Sequence, residues 1–140
     1  MASGFGFTFS IDLSGLAKFE EGHRKKQVKQ LKKIGAFLRR TAMYSMRRRK
    51  TASKPGTPPS VHEGGLKRLQ RFVVDDRSMS VDSGPILYKQ GIARILEHGG
   101  QTLITVGKNK GTMQTVEPRP TMQLAQRNNL PQIAKIIGEG

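Results

Sequence analysis

The chain has 140 residues and a mass of 15.5 kDa, enough for one domain with a core. Hydrophobic residues make up 35%, aromatics only 6%, and there is no Trp, so the core must be mostly aliphatic. Cysteine is absent, which excludes a disulfide framework, cysteine-based zinc and iron–sulfur sites, and a thiol nucleophile. Lys and Arg number 25 against 10 Asp and Glu, a net charge of +15, which points to a polyanionic partner such as nucleic acid, an anionic membrane or an acidic protein surface.

The charge is concentrated. Residues 18–54 hold fourteen bases and two acids, whereas residues 1–17 hold one acid and no base. No apolar run reaches the ~18 residues that a membrane span needs. No basic stretch followed by an apolar one opens the chain, so no signal peptide is expected.

Phe5, Phe7, Phe9 and Ile11 alternate with small or polar residues, which predicts a strand with one buried face. Asp12 or Ser14 can cap a helix that starts near Gly15, and no proline interrupts the chain from there to Arg49. Leu16, Phe19, Val28, Leu31, Ile34, Leu38, Ala42 and Met46 recur at three- and four-residue steps and predict an amphipathic helix with a narrow apolar stripe. Gly35 marks a close helix contact. Thirty helical residues would reach ~45 Å, longer than the ~40 Å diameter of a globule of this size, so the helix is expected to overhang and pack on a neighbour. Lys25, Lys29 and Lys33 repeat at i, i+4, which costs a few tenths of a kcal/mol per pair, about what each favourable pair gains. Such a helix needs tertiary packing or an acidic partner.

Residues 50–65 contain Pro55, Pro58 and Pro59 and predict a long, exposed, semi-extended loop. A short helical turn follows over Leu66–Gln70. Arg71–Val74 and Ser78–Asp82 flank Asp75-Asp76-Arg77 and predict a hairpin. Leu87–Glu97 has helical spacing and stops at Gly99-Gly100. Gln101–Val106 and Met113–Val116, joined through Gly107-Lys-Asn-Lys-Gly111, predict a second hairpin or protruding β arm over residues 101–116. Thr121–Asn128 is helical, Asn129-Leu-Pro131 breaks it, and Gln132–Ile137 adds a last turn or two. The fold class is therefore α+β: an N-terminal strand, a long basic helix packed on a small, mostly antiparallel sheet, an extended loop and β arm, and a C-terminal helix, all in one domain over residues 1–140.

Chemistry is harder to find. His62-Glu63 and Glu97-His98 lack a second ligand at metal spacing, and His23 stands apart. No phosphate-cradling glycine loop and no nucleophile elbow occurs. No metal, cofactor or catalytic residue is expected, and the chain does not read as an enzyme. The clearest functional candidate is Arg47-Arg48-Arg49-Lys50, with Arg39 and Arg40 upstream. At a helix C-terminus these cations would complement the macrodipole. They could equally contact phosphates in a salt-sensitive way or dock on an acidic protein. Phe37 and Tyr44 are too few for a single-strand stacking platform, and no helix-turn-helix or zinc-finger spacing is present. A membrane-surface helix would need Trp and a wider apolar face.

The order of elements resembles the neck and tail-completion family of tailed phages. A short strand leads through Asp12-Leu-Ser-Gly-Leu16 into a long basic helix. Pro55-Gly-Thr-Pro-Pro59 leads to a Gly65-Leu-Lys-Arg68 turn. Ile92-Ala-Arg-Ile-Leu-Glu-His-Gly99 resembles the family's Tyr-Ala-x-x-x-Glu-x-Gly pattern, with Ile92 in place of the aromatic and Tyr88 upstream. Arg119-Pro-Thr-Met122 matches an Arg-Pro-x-Met entry to the final helix.

The resemblance implies a structural virion protein that joins head to tail. It would be assembled in the host cytoplasm into a ring, commonly six-fold, between a head-closure or connector ring and a tail terminator or tail tube. Double-stranded DNA would pass through the lumen, and no membrane would be involved. Pro55, Pro58 and Pro59 of the loop and Lys108 and Lys110 of the arm would reach adjacent subunits or rings. A channel that lets DNA slide should avoid strong cation contacts, so Arg47–Lys50 are expected to face a protein partner or the rim. The alternative is a small basic nucleic-acid-binding module with the helix on the phosphate backbone.

Overall fold

The structure is a computed structural model, and it describes residues 9–12, 21–62, 65–86 and 92–139. The chain order is β1 (Phe9–Asp12), α1 (Glu21–Ser45), α2 (Gly65–Arg68), β2 (Gln70–Asp75), β3 (Ser80–Pro85), α3 (Ile92–His98), β4 (Gly100–Leu103), β5 (Met113–Val116), α4 (Met122–Arg127) and α5 (Leu130–Gly138). Phe5 and Phe7 of the expected first strand, the helix start near Gly15 and residues 87–91 of the third helix lie outside the described residues.

The expected α+β arrangement is present. β1, β3 and β2 form an antiparallel sheet in that order, with Ile11 opposite Val81 and Val81 opposite Val74. Alternation decides which side chains face α1: Phe72 and Val74 are partly covered by it, whereas Arg71, Val73 and Asp75 face away and are exposed. The turn between β2 and β3 is formed by residues 76–79. The Asp75 carboxylate accepts the Arg77 N–H at 2.8 Å, and Met79 adopts a positive φ of 53° while its side chain is buried.

α1 is the middle layer. Leu31, Ile34, Leu38 and Ala42 are fully buried and Met46 nearly so, the apolar stripe expected from the spacing. The sheet covers α1 on one side, with Phe72, Val74, Met79 and Val81; α4 and α5 cover it on another, with Met122, Ala125, Ile133 and Ile136. Gly35 allows the sheet to come close. A Cβ at this position would meet the Phe72 ring, and Val81 Cγ2 at 2.9 Å.

α1 is shorter than the spacing implies at its C-terminal end. It stops at Ser45, not Arg49. The Ser45 hydroxyl donates to the Ala42 carbonyl at 2.8 Å, a local bond that competes with further helix. Beyond it, the Arg47 carbonyl accepts the Val61 N–H at 3.1 Å, and Arg48 bridges Val61 in parallel sense. Continuing the helix would also have stacked like charges. The 25 described helical residues span ~37 Å, within the diameter expected of a globule this size, so this part of the helix needs no overhang.

Residues 50–62 of the expected loop are irregular, as the prolines require, but they are not freely exposed; residues 63–64 lie outside the described residues, and Gly65 already begins α2. Ser53, Pro59 and Val61 are buried and Pro58 is half-buried. The Gly56 N–H donates to the Pro118 carbonyl at 2.8 Å, and Arg119 Nε donates to the Ser53 carbonyl at 3.0 Å. The loop is stitched to the segment entering α4. Val61, just after the last proline, is buried and gives the loop a reason to fold back, which a reading from proline and glycine content alone does not register.

β4 and β5 pair antiparallel, Gly100 with Val116 through Leu103 with Met113, and form the expected arm. Its turn closes with the Ile104 N–H on the Thr112 carbonyl at 2.9 Å and the Gly111 N–H on the Ile104 carbonyl at 2.8 Å. Gly107 and Gly111, with φ of 94° and 89°, supply the left-handed positions this turn needs.

Candidate functional site

The six cations singled out in the sequence have three different fates. Arg39 is turned inward: its Nε donates to the Gln70 carbonyl at 2.8 Å and fastens α1 to the start of β2. Arg40, one residue on, is exposed. Arg47, Arg48, Arg49 and Lys50 are exposed but lie past the end of α1, and the last turn of that helix contains no basic residue. The expected macrodipole arrangement is therefore replaced by an exposed basic segment whose backbone is tied to Val61. Its charges are uncompensated, since among the described residues the carboxylate in ion-pair contact is Glu139, 4.0 Å from Lys135.

Lys25, Lys26, Lys29, Lys32 and Lys33 are all exposed on α1. Together with Arg40 they make the uncovered side of the helix a cationic surface. Close to the N-terminal end of α1, the Arg24 guanidinium donates to the Asp76 carbonyl at 2.7 Å, tying the helix to the β2–β3 turn.

Of the loop and arm residues, Pro55 is exposed and Pro59 buried, so the three prolines do not share one outward surface. Lys108 and Lys110 are exposed at the arm tip. The arm also carries uncovered apolar groups: Leu103 is 52% exposed, Met113 61% and Val106 81%.

Two arrangements were not anticipated from the sequence. The first is a joint around Glu97, which is buried. Its carboxylate accepts the N–H groups of Thr121 at 2.8 Å, Met122 at 3.2 Å and Gln123 at 2.8 Å, the otherwise unpaired donors at the start of α4. The neighbouring Arg119 N–H donates to the Leu96 carbonyl. An acid 24 residues before the helix start, across two strands, leaves no local signature, because capping patterns are read within the helix itself.

The second is a groove of about 620 Å3 along the outer side of α1, where it meets α5. Ala36, Phe37, Met43 and Tyr44 from α1, with Ile136 from α5, make an apolar floor; Lys33 and Arg40 stand at its rim. Tyr44 is 71% exposed, and Lys67 Nζ lies 5.7 Å from its ring centre. These residues fall at i, i+3, i+4, i+7, i+10 and i+11, a second apolar stripe beside the core stripe. Periodicity could have revealed it, but Lys33 and Arg40 within it disguise the pattern as a solvated face.

Among the described residues no group of three or more His, Asp or Glu could hold a metal ion, and no helix is long and apolar enough to cross a membrane. No protein-family model matches the sequence, and neither a curated protein nor a solved structure is similar to it.

Proposed function

We propose that the chain is a non-catalytic structural subunit of a phage neck, which assembles with copies of itself into a ring, six-fold by resemblance, and joins head to tail around the DNA channel. The observation that carries this reading is the β4–β5 arm. A lone two-stranded hairpin is marginal in water. This one adds exposed Leu103, Val106 and Met113 to unpaired strand edges. Edges and apolar groups of this kind are normally covered by another chain. Head-closure or connector and tail-terminator or tail-tube rings are the partners the resemblance supplies, and the virion is the location.

The basic surface of α1 favours a second reading, a small nucleic-acid-binding module. Phosphate contacts from Lys25, Lys29 and Lys32 would give duplex binding that falls steeply with salt.

Light scattering on a size-exclusion column, at low and high salt and with duplex DNA, separates the two. The protein is compared with a variant in which a two-residue turn replaces residues 102–114. Ring formation, or joining of heads to tails in an infected-cell extract, is expected of the intact chain and not of the trimmed one, with the same thermal midpoint for both. A monomer or dimer that binds duplex DNA with a steep salt slope, trimmed or not, establishes the second reading instead.

A further inference from the structure

The groove between α1 and α5 has the chemistry of a docking site. A helix that is solvated on its outer side ordinarily presents polar residues there. α1 instead presents Met43, Tyr44 and the outer part of Phe37, which also packs on the core, and α5 walls this stripe through Gln132 and Ile136. Lys33, Arg39 and Arg40 border it, and among the described residues no carboxylate lines it. Cations around an apolar trough fit a ligand that is itself amphipathic: apolar groups for the floor and negative charge for the rim.

We propose that the groove seats an acidic amphipathic segment of a partner protein, a helix with aliphatic or aromatic side chains along one face and Asp or Glu beside them. The volume is in the ~300–1,000 Å3 range of binding clefts, and helix-in-groove recognition uses anchors at i, i+3, i+4 and i+7. Charge decides between occupants. The apolar arm of a second copy carries Lys108 and Lys110 and would bring like charge to the rim. A nucleic-acid backbone would satisfy Lys33 and Arg40 but would leave the floor of Phe37 and Met43 uncovered. The acidic pairs of this chain, Glu20-Glu21 and Asp75-Asp76, are followed closely by Arg24, Lys25 and Lys26 and by Arg77, respectively, and these cations would bring like charge to the rim. An acidic partner chain satisfies both floor and rim. The inference stands on the groove alone and holds whether or not the chain forms a neck ring.

The probe is a labelled fourteen-residue peptide with Leu and Phe on one helical face and Glu on the other. Controls are the same composition scrambled to break the apolar face, the same peptide with Lys for Glu, and a sixteen-base-pair duplex. Binding is read by fluorescence anisotropy, and the contact surface by amide chemical-shift changes on the labelled full chain. The amphipathic acidic peptide is expected to bind roughly tenfold tighter than its scramble, the weight of one buried apolar anchor. Shift changes should centre on Phe37, Met43 and Tyr44. Tyr44→Ala and Arg40→Glu, both at exposed positions, should each weaken binding roughly fivefold or more with no change in thermal midpoint. Equal binding of the scramble, shift changes confined to Lys25–Lys32, absence of binding, or displacement of the peptide by a duplex whose own binding survives Tyr44→Ala would each overturn the proposal.

Discussion

The carboxylate of Glu97, at the end of α3, accepts the Thr121 N–H at 2.8 Å and so begins α4. Its second oxygen takes the Gln123 N–H at the same distance. The Thr121 and Met122 donors are buried, where water could not replace the carboxylate, and the Gln123 donor is partly buried. Hydrogen bonds to a charged acceptor contribute roughly 1.5–3 kcal/mol, and an orphaned buried donor costs about 1–3 kcal/mol. Glu97→Ala should therefore lower unfolding stability by about 3 kcal/mol in urea titration. Glu97→Gln should not rescue it, because the amide keeps one acceptor oxygen and turns an NH2 group toward N–H donors.

Gly35 should resist even alanine. In an exposed helix, Gly→Ala stabilises by about 1 kcal/mol. Here the added Cβ would run into the Phe72 ring, with Cγ at 2.8 Å, and into Val81. Overpacking of this kind costs about 1–3 kcal/mol, so the net effect of Gly35→Ala should be a loss. The loss should shrink when Phe72→Leu is present, and a double-mutant cycle in urea measures that coupling.

Arg39 and Arg40 should separate cleanly despite being adjacent. Arg39→Ala removes the bond to the Gln70 carbonyl and should destabilise by about 1–2 kcal/mol. Arg40→Ala touches no internal partner and should leave the unfolding midpoint unchanged within about 0.5 kcal/mol.

Asp75 gives the fold an acid sensitivity. The Arg77 backbone N–H, helped by Ser78, holds its carboxyl below the ordinary carboxylate value of about 3.9. The unfolded chain therefore takes up the proton first as pH falls. The stabilising effect is complete above the ordinary value and is lost as pH drops through the lowered one. Asp75→Asn should be less stable than the parent at about pH 7, and the difference should close as the pH falls through the lowered value. Urea midpoints across that range read it directly.

The elements themselves were legible where a period repeats often enough. Leu31, Ile34, Leu38, Ala42 and Met46 declared α1, its buried stripe and its central position. Alternation and turn residues declared the β2–β3 hairpin, and the Gly107–Gly111 turn declared the arm. What the sequence left hidden depends on partners far apart in the chain. Arg39 and Arg40 look identical in the sequence, and only the carbonyl of Gln70 distinguishes them. Pro59 belongs to a loop by composition and to the interior by contact. The end of α1 at Ser45 is decided by Val61, sixteen positions later, pairing with Arg47.

Three of the four motifs behind the phage-neck resemblance meet at one place, and the first lies mostly outside the described residues. The loop reaches Pro118 and Arg119, the Ile92–Gly99 segment supplies Leu96 and Glu97, and the Arg119–Met122 segment receives both. These contacts hold the loop, α3 and the start of α4 together. The surfaces free to set function are elsewhere, on the outer side of α1 and on the arm.

The same joint fastens the two ends of the arm to each other. Leu96 meets Arg119, Glu97 meets Thr121, and Gly100 pairs with Val116. For the rest of the molecule, residues 101–115 are a detour that departs from and returns to one fixed point. A closed detour can lengthen cheaply, since each doubling of a loop costs only about 0.6 kcal/mol. The reach of this arm can therefore be redrawn by insertion or deletion near its tip while the core residues keep their neighbours, which lets one scaffold be fitted to surroundings of different span.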